Sequence, residues 1–222
     1  MQLIKQWEEY RSLVSRTEVS ATQIASSLSN SEPLDISSNA ILKIRFMHGC
    51  VGLCTEIGEL WQGCESGKGP NWPEELGDVC WYLGTINNAL SLVLPNTIPP
   101  SLCLILPPTT LDPFSGQVVT LKLNRLAILA NCMLLDQAKK YMFYNQTPDW
   151  NVTLLLLGMC LDLVNELVRL VHRPSSINVT IEAIWDANIA KLAARYPDKF
   201  TEHSAKNRNL SAEQTAMDSK LI

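Results

Sequence analysis

Glu56-Ile-Gly-Glu59 and Glu75-Leu-Gly-Asp78 carry four carboxylates in two pairs, each at i, i+3. On a helix that spacing puts both acids of a pair on one face. A glycine-containing break from Gly63 to Gly69 separates the pairs and is long enough to fold the second helix back on the first. All four acids would then face one gap. Two unit charges about 4 Å apart repel by roughly 4 kcal/mol at an effective dielectric near 20. Four such groups call for a cation between them, and an all-oxygen donor set suits Mg²⁺ or Mn²⁺ rather than zinc. A ferritin-like di-iron bundle would need Glu-x-x-His pairs from two helices, and the sequence has none.

A solvated helix face is the competing explanation for any lone E-x-x-E. Three features weigh against it. The second pair follows within one hairpin. The acids sit among Leu53, Ile57 and Leu60 on one side and Leu76, Val79 and Trp81 on the other. Gly49, Gly52 and Gly63 share the face of Glu56 and Glu59, at a cost near 1 kcal/mol each relative to Ala. Something is therefore expected to approach that backbone closely.

Multi-carboxylate Mg²⁺ sites usually serve phosphate chemistry, in which the metal offsets charge that builds up during displacement. One carboxylate can also orient or deprotonate the attacking water. Cations must then come from elsewhere in the chain. Asn188, Lys191 and Arg195 fall at i, i+3 and i+7, one stripe of a helix, and are the best source; an exposed basic face is the plainer explanation of that stripe alone.

The elements that must position these residues read as helices. Leu3, Trp7, Tyr10 and Val14 form one apolar face of an N-terminal helix. Residues 15–38 are rich in Ser and Thr, with Ser37 or Ser38 as a cap. A long helix is expected from about Asn39 to Cys64. Asn71-Trp72-Pro73-Glu74 reads as a helix start, and that helix should run to about Leu94. Six of the twelve prolines crowd into a connector over 95–116, where no helix can continue. A second helical hairpin spans 117–171, split between Gln117–Tyr144 and Asn151–Val171. A further helix runs from Thr180 to Arg195, stopped by Tyr196-Pro197, and a tail helix starts near Ser211. No period-2 segment reads as a strand. The expectation is one all-α domain over 1–222: acid hairpin 39–94, connector, second hairpin, then a C-terminal helix and tail over 178–222. At an offset of 81 residues Leu76-Gly77 maps onto Leu157-Gly158, an echo of a degenerate duplication. Its acids are not repeated, since Glu56, Glu59, Glu75 and Asp78 map onto Gln137, Lys140, Leu156 and Met159.

Composition narrows the class. With 222 residues, 46% apolar and 18% charged, the chain can bury a sizeable core. A formal charge of −4 argues against a nucleic-acid surface. Seven scattered cysteines make no C-x-x-C, which fits a reducing cytoplasm. The N-terminus does not read as a signal peptide, and the run Val152–Leu161 is too short to span a bilayer, so a soluble protein without membrane partners is expected.

The double acid motif, followed by Val79-Cys-Trp-Tyr-Leu83, resembles the MazG-like superfamily of all-α nucleoside triphosphate pyrophosphohydrolases, which includes dimeric-type dUTPases. The distant Asn188-x-x-Lys191-Leu-x-x-Arg195-Tyr196-Pro197-x-x-Phe200 is similar to that superfamily's C-terminal motif. Asp136-Gln-Ala-Lys139-Lys140-Tyr-Met-Phe-Tyr144 and the tail Lys206-Asn-Arg-Asn-Leu210 are similar to segments of phage-encoded members. The resemblance implies Mg²⁺-dependent hydrolysis of a (deoxy)nucleoside triphosphate to monophosphate and pyrophosphate, for nucleotide-pool control. A dUTPase-like preference, or a non-catalytic helical protein that keeps the fold, are the alternatives. By the same resemblance Glu56, Glu59, Glu75 and Asp78 would hold the metal, and one of the first pair would activate water. Lys191 and Arg195 would hold phosphates, with Asn188 and Tyr196 nearby and Lys68 adding a contact; Trp61, Trp72 or Tyr82 could pack on the base. Glu75→Ala or Asp78→Ala is then expected to remove activity without unfolding the chain. Small members of the superfamily build their site at a homodimer interface, so the resemblance implies a homodimer here too, with the C-terminal motif acting on the acids of its own chain or of the other. Here Asn188 follows Asp78 by 110 positions, with the second hairpin between them as an internal partner.

Overall fold

The computed structural model describes residues 6–29, 37–65, 71–94, 116–171 and 179–221, and among these every regular element is helical. The helices are α1 (Trp7–Thr17), α2 (Ala21–Ser29), α3 (Ser38–Glu65), α4 (Trp72–Leu90), α5 (Gly116–Ala127), α6 (Leu135–Tyr144), α7 (Trp150–Val171), α8 (Ile181–Arg195), α9 (Glu202–Lys206) and α10 (Leu210–Asp218). A π-helical segment, Ile128–Leu134, joins α5 to α6 in one continuous rod. Lys68, Cys103, Leu3 and all but the last residue of the proline-rich connector lie outside the described residues.

Local chemistry accounts for the helix ends. Ser37 caps α3 by accepting the Ala40 N–H at 3.3 Å, and Thr180 caps α8 by accepting that of Ala183 at 3.3 Å. The Ser/Thr-rich stretch conceals α2. Ser20 Oγ accepts from Gln23 N at 3.2 Å, while Gln23 Oε1 accepts from Ser20 N at 3.1 Å, a reciprocal capping box. α4 ends at Leu90, four residues before the expected stop, in a turn over 91–93. α6 ends at Asn145, whose left-handed φ of 54° lets Gln146 N close back on Lys140 O.

α4 is the central element. From Leu76 to Leu90 it is buried on nearly all sides, as expected of a helix that is apolar all round. α3 runs along it, α1 and α8 cover it on other faces, and α7 packs beside it. α3 meets α6 and α4 meets α7, so the two hairpins form a four-rod bundle. One apolar cluster runs from Tyr10 on α1 through Phe46, Leu53, Leu83 and Leu163 to Trp185 on α8. Each such fully buried side chain contributes roughly 1.5–3 kcal/mol of transfer free energy.

Two of the α3 glycines, Gly49 and Gly52, find their close neighbour here. A Cβ at Gly52 would lie 1.9 Å from the Tyr82 ring, and one at Gly49 2.7 Å from Ile86 Cγ1. The element that approaches this backbone is therefore α4 itself. Gly77 does the same for α8, where an added Cβ would stand 3.0 Å from the Asn188 side chain.

The rod Gln117–Tyr144 is the one described helix long and apolar enough, by composition, to cross a bilayer. Its apolarity is partly spent within the bundle, against α3 and α7. The six described cysteines are free thiols.

Candidate metal centre and adjoining cavity

The close α3–α4 contact brings the acid faces together. One oxygen from each of Glu56, Glu59 and Glu75 can be chosen so that all three lie within 4.8 Å of one another. Glu56 and Glu75 are half-buried and Glu59 stands exposed at the rim. Burial pushes the Glu56 carboxyl up to about 8, with Asp78, Glu59 and Glu75 adding repulsion and Lys191 opposing it. Burial likewise raises Glu75 to about 7, helped by Asp78, Glu59 and Glu74. Glu56 and Glu75 thus hold protons near neutrality, chiefly because they are half-buried, and an all-oxygen set of this kind fits a hard divalent cation.

Asp78 lies beside that trio but has partners of its own. Lys191 Nζ donates to both of its oxygens, at 2.7 and 2.6 Å, and Asn188 Nδ2 donates to Oδ1 at 2.8 Å. The Lys191 side chain is only 2% exposed. Lys191 also reaches Glu74 at 3.5 Å, while Tyr10 Oη donates to Asn188 Oδ1 at 3.0 Å. The expected phosphate-holding lysine is therefore sealed inside the molecule as the counter-charge of the fourth acid. Arg195 is engaged too: its Nε and Nη2 donate to Glu213 on α10 at 3.1 and 2.5 Å, and Arg208 Nη2 donates to the same carboxylate at 2.8 Å. Burial alone would raise Glu213, but the hydrogen bonds from Arg195 and Arg208 hold it near 2. The C-terminal motif thus reaches the acids within one chain. Its two cations are already paired, so neither is placed as a free phosphate ligand.

For Asp78→Ala the geometry adds an expected stability cost to the expected loss of activity. That change would strand a buried ammonium. Glu75 has no such partner, and Glu75→Ala is still expected to remove activity without unfolding the chain.

The trio borders two spaces, Glu59 and Glu75 lining one and Glu56 the other. On one side an open groove of about 690 Å³ passes Thr55, Gly58, Gln62 and the carboxylates of Glu59 and Glu75. On the other lies a cavity of about 170 Å³ whose rim includes Glu56, Asp78 and Arg195. His48, Trp81, Tyr82, Tyr196 and Phe200 form its aromatic walls. Of the expected base-packing aromatics only Tyr82 lines it. Trp61 instead donates to Glu65 at 2.8 Å, and Trp72 packs against the core.

No family model, curated protein or solved structure matches this chain.

Several contributors carry no signal of their role in the sequence. Tyr10, Glu74 and Glu213 act by holding Asn188, Lys191 and Arg195. His48 has a usable signal: His48, Gly52 and Glu56 fall on one i, i+4, i+8 row of α3. Gly52 keeps that row low, and Tyr82 fills the gap between imidazole and carboxylate.

The pH response follows from the raised acids. Glu56 and Glu75 bind protons more tightly in the folded chain than at the ordinary 4.5. Their contribution to metal-free stability is complete below about pH 4.5 and lost as pH rises through about 7 and then 8. A divalent cation must displace those protons, so its affinity rises over the same window with proton release. Thermal melts with and without Mn²⁺ should show a larger metal-induced shift near pH 9 than near pH 6. Equal shifts at both would mean these carboxylates are not the ligands.

Proposed function

We propose that this chain hydrolyses nucleoside triphosphates between the α and β phosphates, giving a monophosphate and pyrophosphate, with Mg²⁺ or Mn²⁺ held by Glu56, Glu59 and Glu75. The observation that carries the reading is the convergence of three carboxylates, none of them paired with a lysine, at a groove open to solvent. Bound there, the cation would supply charge neutralisation at phosphate oxygens. The remaining chemistry falls to side chains. Water attacks phosphorus, the anhydride P–O bond breaks, and the proton lost by water passes to a carboxylate. Glu56 is best placed to take it, because it belongs to the trio and also lines the adjoining cavity. Lys191 fixes Asp78 and thereby sets how much negative charge the trio faces. Arg195, held by Glu213, adds a fixed positive charge at the cavity rim.

The second hairpin is proposed as an internal partner descended from a duplication. α5 to α6 lies along α3 and α7 along α4, while the acid positions map onto Gln137, Lys140, Leu156 and Met159. On this reading one chain holds one metal centre and completes its own bundle, so turnover does not require the homodimer of small superfamily members. A cytoplasmic place in nucleotide-pool control goes with the substrate.

The test is a panel of ribo- and deoxyribonucleoside triphosphates with Mg²⁺ or Mn²⁺, assayed separately for pyrophosphate and for inorganic phosphate. Pyrophosphate release from at least one nucleotide is expected. Orthophosphate as the first product would indicate cleavage at the γ position. Mn²⁺ binding without turnover of any nucleotide would favour the alternative, a helical binding protein that keeps the site.

A further inference from the structure

We propose that Cys54 on α3 and Cys132 in the π-helical segment form a peroxide-responsive thiol pair, which closes to a disulfide and ties the acid hairpin to the second hairpin. This goes beyond the hydrolytic reading and does not depend on it.

Register is the first argument. The first turns of α3 meet the last turn of the rod. Tyr141 Oη donates to Asn39, Lys43 Nζ donates to Asn145 Oδ1 at 2.8 Å, and Phe46 and Tyr141 both pack on Trp150, at 5.7 and 5.3 Å. α3 also touches the π-helical segment and α5, further back along the rod, so the two run antiparallel. Cys54 lies eight residues beyond Phe46, and Cys132 lies nine before Tyr141. At about 1.5 Å per residue, they stand roughly 12 and 13.5 Å from the shared level of Phe46 and Tyr141, nearly opposite each other. Phe46, Cys50 and Cys54 fall on one i, i+4, i+8 row of α3. Phe46 meets Trp150 beside Tyr141, so that row faces the seam. Electrostatics place the sulfurs together as well. Burial pushes the Cys54 thiol up to about 11, and the Cys132 sulfur adds to that shift, so each lies within electrostatic reach of the other.

Access is the second argument. Cys132 is exposed and Cys54 half-buried, while Cys50 and Cys160, which adjoin Cys54 from the inside, are buried. A peroxide in solvent therefore meets Cys132 first. Cys132 also sits in a π-helical turn, a register found frequently at functional sites. The chemistry closes in two steps. Cys132 Sγ attacks the outer oxygen of a hydroperoxide, the O–O bond breaks, an alcohol or water leaves with the Cys132 proton, and the sulfur becomes a sulfenic acid. Cys54 Sγ then attacks that sulfur. The S–S bond forms, the S–O bond breaks, and the hydroxyl leaves as water with the Cys54 proton. Two thiols are oxidised and one peroxide is reduced. A dithiol reductant reverses the bond by exchange, so in a reducing compartment it is transient. While closed, it pins α3 to the rod two residues before Glu56 and holds the two hairpins together at the level of the carboxylates.

The experiment takes the whole chain, fully reduced, and treats it with hydrogen peroxide in EDTA. The intact mass is expected to fall by two hydrogen atoms, and peptide mapping to show Cys54 joined to Cys132, both reversed by dithiothreitol. The oxidised chain should melt at least about 5 °C above the reduced one, because the bond closes a long loop in the unfolded state. Cys54→Ala should leave at Cys132 a sulfenic acid that dimedone traps. Cys132→Ser, at an exposed position where the fold is kept, should give no cross-link and leave Cys54 reduced. A cross-link between any other two cysteines, no cross-link in the wild-type chain, or an oxidised chain that melts no higher than the reduced one would overturn the proposal. These readouts are the same whether or not the chain turns over nucleotides, so they stand or fall apart from the hydrolytic reading.

Discussion

Glu56→Gln is expected to lower pyrophosphate release by at least ~10²-fold and, in the same protein, to raise the melting temperature of the metal-free chain above neutral pH. The first effect comes from losing both an anionic ligand and the group best placed to accept a proton, a role generally contributing 10²–10⁴-fold. The second comes from the electrostatics of the trio. Glu56 is half-buried, and its ionised form is disfavoured first by burial and then by Asp78, Glu59 and Glu75. At about pH 8 the wild-type chain must carry that charge in part, whereas the amide never does. An acid kept in place for folding would show the opposite, a lower melting temperature on replacement. Glu59→Gln separates the roles further. Glu59 stands exposed, so its loss should reduce turnover with little change in the melt. Steady-state assays and melts in EDTA at pH 6 and about 8 check both halves. Unimpaired turnover in Glu56→Gln would remove Glu56 from the mechanism. Impaired turnover together with a lower melting temperature would make it structural.

The acid pairs were legible because helical periodicity is visible in residue types, and two i, i+3 pairs joined by a glycine-containing break leave few ways to fold. The long helices were legible for the same reason, and α8 was placed to within a residue by Thr180 and Pro197. Other features depended on information that composition does not hold. A stripe of Asn188, Lys191 and Arg195 indicates a helix face, not whether that face is covered. Trp185 and Leu192 on α8 are buried with Asn188 and Lys191, and the ammonium goes in with them. Gly49 and Gly52 mark a close approach, and the approaching groups are Ile86 and Tyr82 of α4. α2 was obscured by its Ser/Thr content, although Ser20-x-x-Gln23 spelled out its N-terminus. The π segment at Ile128–Leu134 is a change of hydrogen-bond register, set by how the rod packs on its neighbours, and residue types do not specify it.

Lys191→Met is expected to cost about 3 kcal/mol of stability, the low end of the loss on removing one member of a buried ion pair. The ammonium is sealed in, while its partner Asp78 keeps about a quarter of its side-chain surface exposed. Partial access to water is the reason for choosing the low end. Removing the lysine leaves Asp78 with Asn188 as its remaining donor and adds an uncompensated charge beside Glu56 and Glu75. Asp78→Asn should be comparably costly, because it strands the buried ammonium with only Glu74, at 3.5 Å, for compensation. The double variant Asp78→Asn/Lys191→Met carries neither stranded charge and should be more stable than the sum of the single losses implies, by about 1 kcal/mol or more. Chemical denaturation of the four proteins measures this coupling directly. Additive losses would show that the lysine acts independently of Asp78, leaving it free to serve phosphate as first expected. Strong coupling, with turnover in the double variant retained above that of Glu56→Gln, would identify the lysine–aspartate pair as the support that positions the trio, and the three glutamates as the groups that meet the metal.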